Sequence, residues 1–236
     1  MNVLKLTPFP TQDKEKPLNH GRFEPYVDNG GTVLSVAGKD YCVVAGDTRM
    51  SDGGYGIQTR KYTKIFQLTN KCVIATSGMQ ADTLALQKKL KVMLDHYQKE
   101  NGKVMSTPAI AQFLSNTLYY KRFFPYYTFN LIAGIDEEGE GCIWTYDAVG
   151  SHEKVKYSSQ GSGNQLVIPL LDNQVAKFNQ LLPEGPKDVP LDQVVSFVKD
   201  AITSAGERDI YTGDYADIVV IDKHGVRWEK FELKLD

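Results

Sequence analysis

The chain has 236 residues, and its 42% apolar and 24% charged side chains are ordinary globular values, so one domain with a sizeable core is the default and disorder is confined to the ends. With 27 Lys and Arg against 29 Asp and Glu, the net charge of -2 is spread along the chain and excludes the electrostatic footprint of a nucleic-acid or acidic-membrane binder. No apolar run is long enough for a membrane span, and Met1 to His20 is too polar and proline-rich for a secretory leader, which points to an intracellular protein.

Pro8, Pro10, Pro17 and Pro25 punctuate residues 1–28, which show no apolar period and read as an extended arm. Composition leaves open whether that arm is removed, wraps a partner or is a plain tail. Residues 29–236 read as a single domain. Val33 to Ala37, the turn residues Gly38-Lys39-Asp40, and Tyr41 to Ala45 predict a buried hairpin that ends in Asp47-Thr48-Arg49. Taken alone, Asp47 would cap a turn and Arg49 would face solvent. Ser51 to Thr63 predicts an exposed loop, Lys64-Ile65-Phe66 a short apolar run, and Lys71 to Thr76 a strand. Leu86, Leu90, Met93, Leu94 and Tyr97 then share one stripe of a helix ended by Asn101-Gly102. Ser106-Thr107-Pro108 opens a second helix, striped by Ile110, Phe113, Leu114, Thr117 and Leu118.

Tyr127 to Ile135 and Gly141 to Tyr146 predict a second hairpin about an acidic turn, with His152 to Tyr157 pairing beside it. Gln160 to Asn164 leads into a short helix over Leu166 to Val175, and Pro183 to Pro190 is a loop. Leu191, Val194, Val195, Val198 and Ile202 mark a long helix, and Asp217 to Ile221 with Val226 to Leu233 closes the chain as a hairpin. Paired helices between runs of strands do not fit a parallel doubly wound sheet, whereas antiparallel sheets faced by helical layers do. Cys42, Cys72 and Cys142 each lie in an apolar run and read as small buried hydrophobes of a reducing compartment. His20, His96, His152 and His224 are scattered without metal-ligand spacing, so neither a metal nor another cofactor is expected.

Four strings in this order carry a resemblance: Gly46-Asp47-Thr48-Arg49, Lys64 at the head of its apolar run, Gly161-Ser162-Gly163, and Glu207-Arg208-Asp209-Ile210-Tyr211-Thr212-Gly213. Together they resemble the beta-type subunits of the proteasome core particle, members of the N-terminal nucleophile hydrolase family. The resemblance implies an α+β fold, a four-layer αββα sandwich of two antiparallel sheets flanked by helices. In active members a threonine freed by cleavage attacks a peptide carbonyl, and its own α-amine, which titrates at about pH 8, takes the proton. A lysine favours the deprotonated amine and a carboxylate holds the lysine. The resemblance places Asp47 as that carboxylate and Lys64 as that lysine, with Ser162, Asp209 and Thr212 as the supporting polar group; Thr212 stands where serine is usual.

Counting sixteen positions back from Asp47, the family's spacing, lands on Gly31, which has no hydroxyl. Thr32 is the remaining candidate, but a one-residue step along a strand turns a side chain to the opposite face. The site therefore reads as vestigial, with Asp47 ion-paired to Lys64 or Arg49, Ser162 and Asn164 capping the following helix, and Asp209 and Thr212 forming a turn after the last one. Further strings, Phe23-Glu24-Pro25-Tyr26 and Lys121-Arg122-Phe123-Phe124-Pro125-Tyr126-Tyr127 among them, resemble a non-catalytic member of the family. This implies a cytoplasmic and nuclear subunit in a seven-membered beta ring. Its partners would be neighbouring beta subunits, the alpha ring and the opposite beta ring, with assembly chaperones open as transient ones and ubiquitin-tagged proteins as the particle's substrates. Phe123, Phe124, Tyr126 and Tyr127 are candidates for an interface or for the core, and the arm is a candidate for trimming by an active neighbour. Two other readings stay open: a self-activating hydrolase that uses Thr32 after Gly31–Thr32 cleavage, and a free-standing binding protein on the same scaffold.

Overall fold

The structure, a computed structural model, describes residues 23–177, 180 and 188–236. Most of the arm and of the loop Pro183 to Pro190 lies outside the described residues. The first hairpin forms as expected from β1 (Thr32–Ala37) and β2 (Tyr41–Asp47), paired antiparallel from Val33 opposite Gly46 to Ala37 opposite Cys42. Both strands are buried nearly throughout, which explains why their sequences are apolar runs rather than alternations. The closing hairpin, β11 (Tyr215–Asp222) and β12 (Gly225–Glu232), joins this sheet by pairing β11 with β2.

A two-stranded ribbon, β3 (Met50–Ser51) and β4 (Ile57–Thr59), starts one residue before, and otherwise lies within, the stretch expected to be only a loop. Its strands are too short and polar to show a period. The second sheet is also antiparallel and runs β5 (Ile65–Gln67), β6 (Cys72–Gly78), β7 (Thr128–Ile135), β8 (Gly141–Tyr146) and β9 (His152–Val155). One residue later the chain changes sheets. After Lys156, β10 (Tyr157–Gly161) pairs with β1 at the edge of the first sheet, giving the order β10-β1-β2-β11-β12. Tyr157, expected to pair beside the second hairpin, instead opens this strand in the first sheet, and Ser158, Ser159 and Gln160 gave no apolar signal for it. Ser158 and Gln160 instead stitch the layers together: Ser158 Oγ lies 3.0 Å from Thr145 Oγ1, and Gln160 Nε2 donates to Thr145 Oγ1 (2.9 Å) and to the Tyr146 carbonyl (3.0 Å), while Ser159 donates to Val33 of its own sheet (2.9 Å).

Helices cover the outer faces. In α1 (Gln80–Asn101) the buried row is Thr83, Leu86, Gln87, Leu90 and Leu94, so the stripe is rotated from the expected one, leaving Met93 exposed and Tyr97 half-buried. Gly102 ends it in the left-handed region at φ 67°. In α2 (Thr107–Tyr119), Ser106 caps the start by accepting from the Ala109 amide, and Ile110, Leu114, Thr117 and Leu118 are buried as expected. Apolar side chains of α1 and α2 pack on Cys72, Ile74, Ile132 and Trp144 of the second sheet. On the other side, α3 (Asn164–Leu171), continued by a π-helical turn at Asp172–Ala176, and α4 (Leu191–Arg208) pack Val167, Leu171, Val198 and Ile202 on Leu34, Val43 and Ile218 of the first sheet. A third cluster, including Val33, Val44, Val73, Leu131, Ala133 and Val219, fills the space between the sheets. The layers are therefore αββα. Tyr26 and Asp28, which precede the expected start of the domain, are already fixed to it: Tyr26 donates to the Pro125 carbonyl (2.7 Å) and Asp28 accepts from the Gly30 amide (2.9 Å).

Two polar details inside the layers yield predictions. All three cysteines are free and buried; burial pushes the Cys142 thiol up to about 12, and those of Cys42 and Cys72 are raised as well. A raised thiol pKa removes the reactive thiolate at neutral pH. A chromogenic disulfide reagent should leave all three untouched in the native chain and titrate all three on denaturation. The Ser35 hydroxyl is buried without a hydrogen-bond partner among the described residues. Since an unsatisfied buried hydroxyl costs about 1–3 kcal/mol, Ser35→Ala should be neutral or raise the unfolding midpoint, and a clear fall would mean that the hydroxyl is satisfied.

Candidate functional site at the start of the first strand

The chain enters β1 through Gly30 and Gly31, at φ 69° and 94°, where residues with a Cβ are strained. This entry is pinned on both sides. Asn29 donates from Nδ2 to the Ser51 carbonyl (2.8 Å) and accepts at Oδ1 from the amide of Gln80 (2.8 Å), capping α1 in place of its own N-cap residue Met79. The Gly31 carbonyl accepts from the Ser162 amide (3.0 Å) and the Ser77 hydroxyl (2.8 Å). A Cβ at Gly161 would stand 2.0 Å from that carbonyl, so the close crossing of β10 over the strand start requires glycine there.

Asp47 and Lys64 form a buried ion pair, Nζ to Oδ1 at 3.1 Å. The Asp47 carboxylate also accepts from the amides of Thr32 (2.7 Å), Arg49 (3.1 Å) and Gly213 (3.3 Å). Burial pushes its pKa above the usual carboxylate range, while Lys64 and the Thr32 and Arg49 amides draw it back. Lys64 Nζ donates further to the carbonyls of Asp47 (3.0 Å) and Arg49 (2.6 Å), so its donors are satisfied within the protein. Its stem fills the space where a side chain on Gly31 would go: a Cβ there would lie 2.2 Å from Lys64 Cε and 2.7 Å from Asp47 Oδ1. No room for a side chain is left at Gly31.

On the other side of Gly31 a one-way chain of hydroxyls converges on Asp209. The Gly31 amide donates to Ser162 Oγ (3.0 Å), which donates to Asp209 Oδ2 (2.6 Å). The Gly163 amide donates to Thr32 Oγ1 (2.9 Å), which lies 2.7 Å from Thr212 Oγ1. Thr212 donates to the same Asp209 oxygen (2.7 Å), so Thr32 is the donor toward Thr212. All six expected positions therefore meet: Asp47 and Lys64 on one side, Ser162, Asp209 and Thr212 on the other, Gly31 between them. Thr32 points away from Lys64, as strand geometry requires, and its hydroxyl is fully buried with its proton committed to Thr212. Its nitrogen, a peptide amide in the uncleaved chain, donates to Asp47 (2.7 Å).

Three expectations for individual residues are corrected. Ser162 does not cap α3, whose N-cap is Gly163 without a side-chain bond, because its hydroxyl is engaged by Gly31 and Asp209. Asn164 lies inside that helix as its first residue. Arg49 neither faces solvent nor pairs with Asp47; it is buried, and its fork meets Asp214 at 3.0 and 3.1 Å, which holds the guanidinium above its ordinary pKa. Arg60 also pairs with Asp214, which is itself fully buried at a left-handed φ of 70°. Arg49 donates in addition to the Ile210 carbonyl (2.9 Å) and the Asp236 carbonyl (2.9 Å), tying the turn after α4 and the C-terminal segment to the end of β2. Sequence reading gave no individual role to Asp214, Ser77 or Asn29. Asp214 beside Gly213 was the one available signal, a carboxylate in a turn next to a matched string.

A cavity of about 900 Å³ lined by Val36, Tyr41, Lys154 and Tyr157 opens at the other end of the hairpin and is no part of this site. An αββα sandwich that gathers a carboxylate, a lysine and a hydroxyl–carboxylate group around the start of its first strand has the N-terminal nucleophile hydrolase architecture. Residues 27–221 match the model of the proteasome subunit family. The chain is 82% identical to proteasome subunit beta type-1 of Dictyostelium discoideum over the full length of both. It is 55% identical to proteasome subunit beta type-1 of Petunia hybrida, over 91% of this chain and 97% of that one, and 40% identical to proteasome subunit beta type-6 of Saccharomyces cerevisiae, over 97% of each. The chain belongs to the proteasome subunit family.

Removing one member of the buried pair strands the other, so Asp47→Ala should cost roughly 3–5 kcal/mol and collapse the soluble yield or the unfolding midpoint. Gly31→Thr should also destabilise, because Lys64 cannot withdraw without losing Asp47, and it should release no new N-terminus in intact-mass spectra. A stable, self-cleaved Gly31→Thr protein would show that this strand entry is permissive after all.

Proposed function

We propose that the chain is a non-catalytic, structural beta subunit of the 20S proteasome core particle. It helps to form a beta ring and to wall the chamber in which neighbouring subunits carry out ATP- and ubiquitin-dependent protein degradation. The observation that carries this reading is the filled nucleophile position: Gly31 lacks a hydroxyl, and Lys64 occupies the space that a side chain would need. Without an attacking group there is no covalent intermediate for the remaining residues to serve. Asp47, Lys64, Ser162, Asp209 and Thr212 then act as a vestigial site that fixes the strand entry. The relatives' names support assembly with other proteasome subunits: ring neighbours, the alpha ring and the opposite beta ring. Residence in cytoplasm and nucleus follows from that reading, and residues 1–28 serve as an arm ahead of the single domain.

Two measurements on the native particle test this. An electrophilic peptide probe that reacts with N-terminal threonines should label other subunits and leave this chain unmodified, with its Gly31–Thr32 bond intact in the mass spectrum. A probe adduct on Thr32 would make the chain an enzyme. Native mass should place the chain in a particle of many subunits, and its recovery only as a free monomer would sink the ring assignment.

A further inference from the structure

The cavity at the other end of the first hairpin, about 900 Å³, is of the size that small molecules occupy. Its walls are largely apolar: Val36, Val155, Val175 and Val189 line it together with Tyr41 and Tyr157. Both phenols are already committed. Tyr41 donates to the Val189 carbonyl and Tyr157 to Asp172 Oδ1, each at 2.5 Å, so neither proton is left for a ligand. The hairpin tip that forms one wall is held in place by the Gly38 amide, which donates to the Tyr41 carbonyl (2.8 Å), and by the Gly141 amide, which donates to that of Lys39 (3.2 Å). A Cβ at Gly38 would stand 2.3 Å from the Tyr41 ring, so ring and turn pack without slack. Another wall is the π-helical turn after α3, which brings Val175 and Ala176 to the cavity and ends at Lys177 with a left-handed φ of 55°. Turns of this kind are rare and concentrate at functional sites.

Charge is unevenly placed around this cavity. Burial, Asp188 and Asp40 push the Tyr41 phenol up to about 12, which sets those two acids at the Tyr41 hydroxyl. Lys156 and Lys39 flank Ala37 instead: the Lys156 carbonyl accepts from the Ala37 amide (2.7 Å), and Lys39 follows two residues on. Among the described residues neither ammonium reaches a carboxylate. Lys154, the third cation of the lining, is engaged by Asp136 (4.0 Å) and lies 5.7 Å from the Trp144 ring centre. Glu140 is the one carboxylate of the lining on this side, so two ammoniums against one carboxylate leave a single positive charge at this margin. An apolar body with one negative charge at its end complements such a site, whereas a cationic head would meet like charge there.

We propose that this cavity binds a free medium-chain fatty acid, its hydrocarbon against the valines and the two tyrosine rings and its carboxylate between Lys39 and Lys156. Burial of the chain supplies the affinity, and the charge-assisted bonds to the lysines fix its direction. Dodecanoic acid carrying a photo-reactive diazirine near its methyl end, irradiated with the full chain in its natively purified assembly, tests this by mass spectrometry. Labelling should be saturable, fall on peptides that contain Val36, Tyr157 or Val175, and be competed by dodecanoic acid but not by dodecanol. Both lysines are exposed, so the Lys39→Glu, Lys156→Glu double variant keeps the core intact, and its labelling should fall roughly ten-fold. Non-saturable labelling, saturable labelling elsewhere on the chain, equal competition by dodecanol, or equal labelling of the double variant would each overturn the proposal.

Discussion

A carboxylate and an ammonium buried at the inner end of β2 must be paired and fully hydrogen-bonded, because desolvating either alone costs several kcal/mol. Asp47 and Lys64 meet that requirement only while β1, the segment after β2 and the turn before β11 stay where they are. Three amides from Thr32, Arg49 and Gly213 complete the carboxylate, and two carbonyls, from Asp47 and Arg49, complete the ammonium. One ion pair thereby ties together segments far apart in sequence. Arg49 extends the same logic to the C-terminal segment through Asp214 and Asp236, and Arg60 adds a second cation at Asp214.

The glycine at the strand entry does not loosen this framework. Two short donor branches, Ser162 and Thr32–Thr212, end at Asp209, the Ser77 hydroxyl is held by the Gly31 carbonyl, and the Lys64 stem fills the space beside Gly31. Groups that would tune an amine and a hydroxyl in an active relative are here spent on holding a peptide. Pairing them all avoids the stability cost of orphaned buried polar groups. A threonine placed at position 31 would have to displace both the left-handed backbone and the lysine stem.

Much of this was readable before any coordinates. Apolar runs located both long hairpins and the closing one, and periodicity located the three longer helices. Matched strings brought Asp47, Lys64, Ser162, Asp209 and Thr212 to one place, and counting found the glycine. What escaped has a common cause. β10 is polar because its side chains bind across layers, and β3 and β4 are too short for a period. The burial of Arg49 depends on Asp214, a partner 165 positions away that no local pattern announces. Ser162 was assigned to the nearest helix because local capping is the default, yet a partner 131 positions earlier claimed its hydroxyl.

The single residue between β9 and β10 has a mechanical meaning. Lys156 joins the edge of one sheet to the edge of the other, so the two sheets are bound like the covers of a book along that spine. Sliding one cover over the other is resisted at the spine, where Gln160 and Ser158 also stitch across to Thr145. Parting the covers would also expose the apolar cluster that both sheets share, so neither sheet keeps its inner face buried without the other.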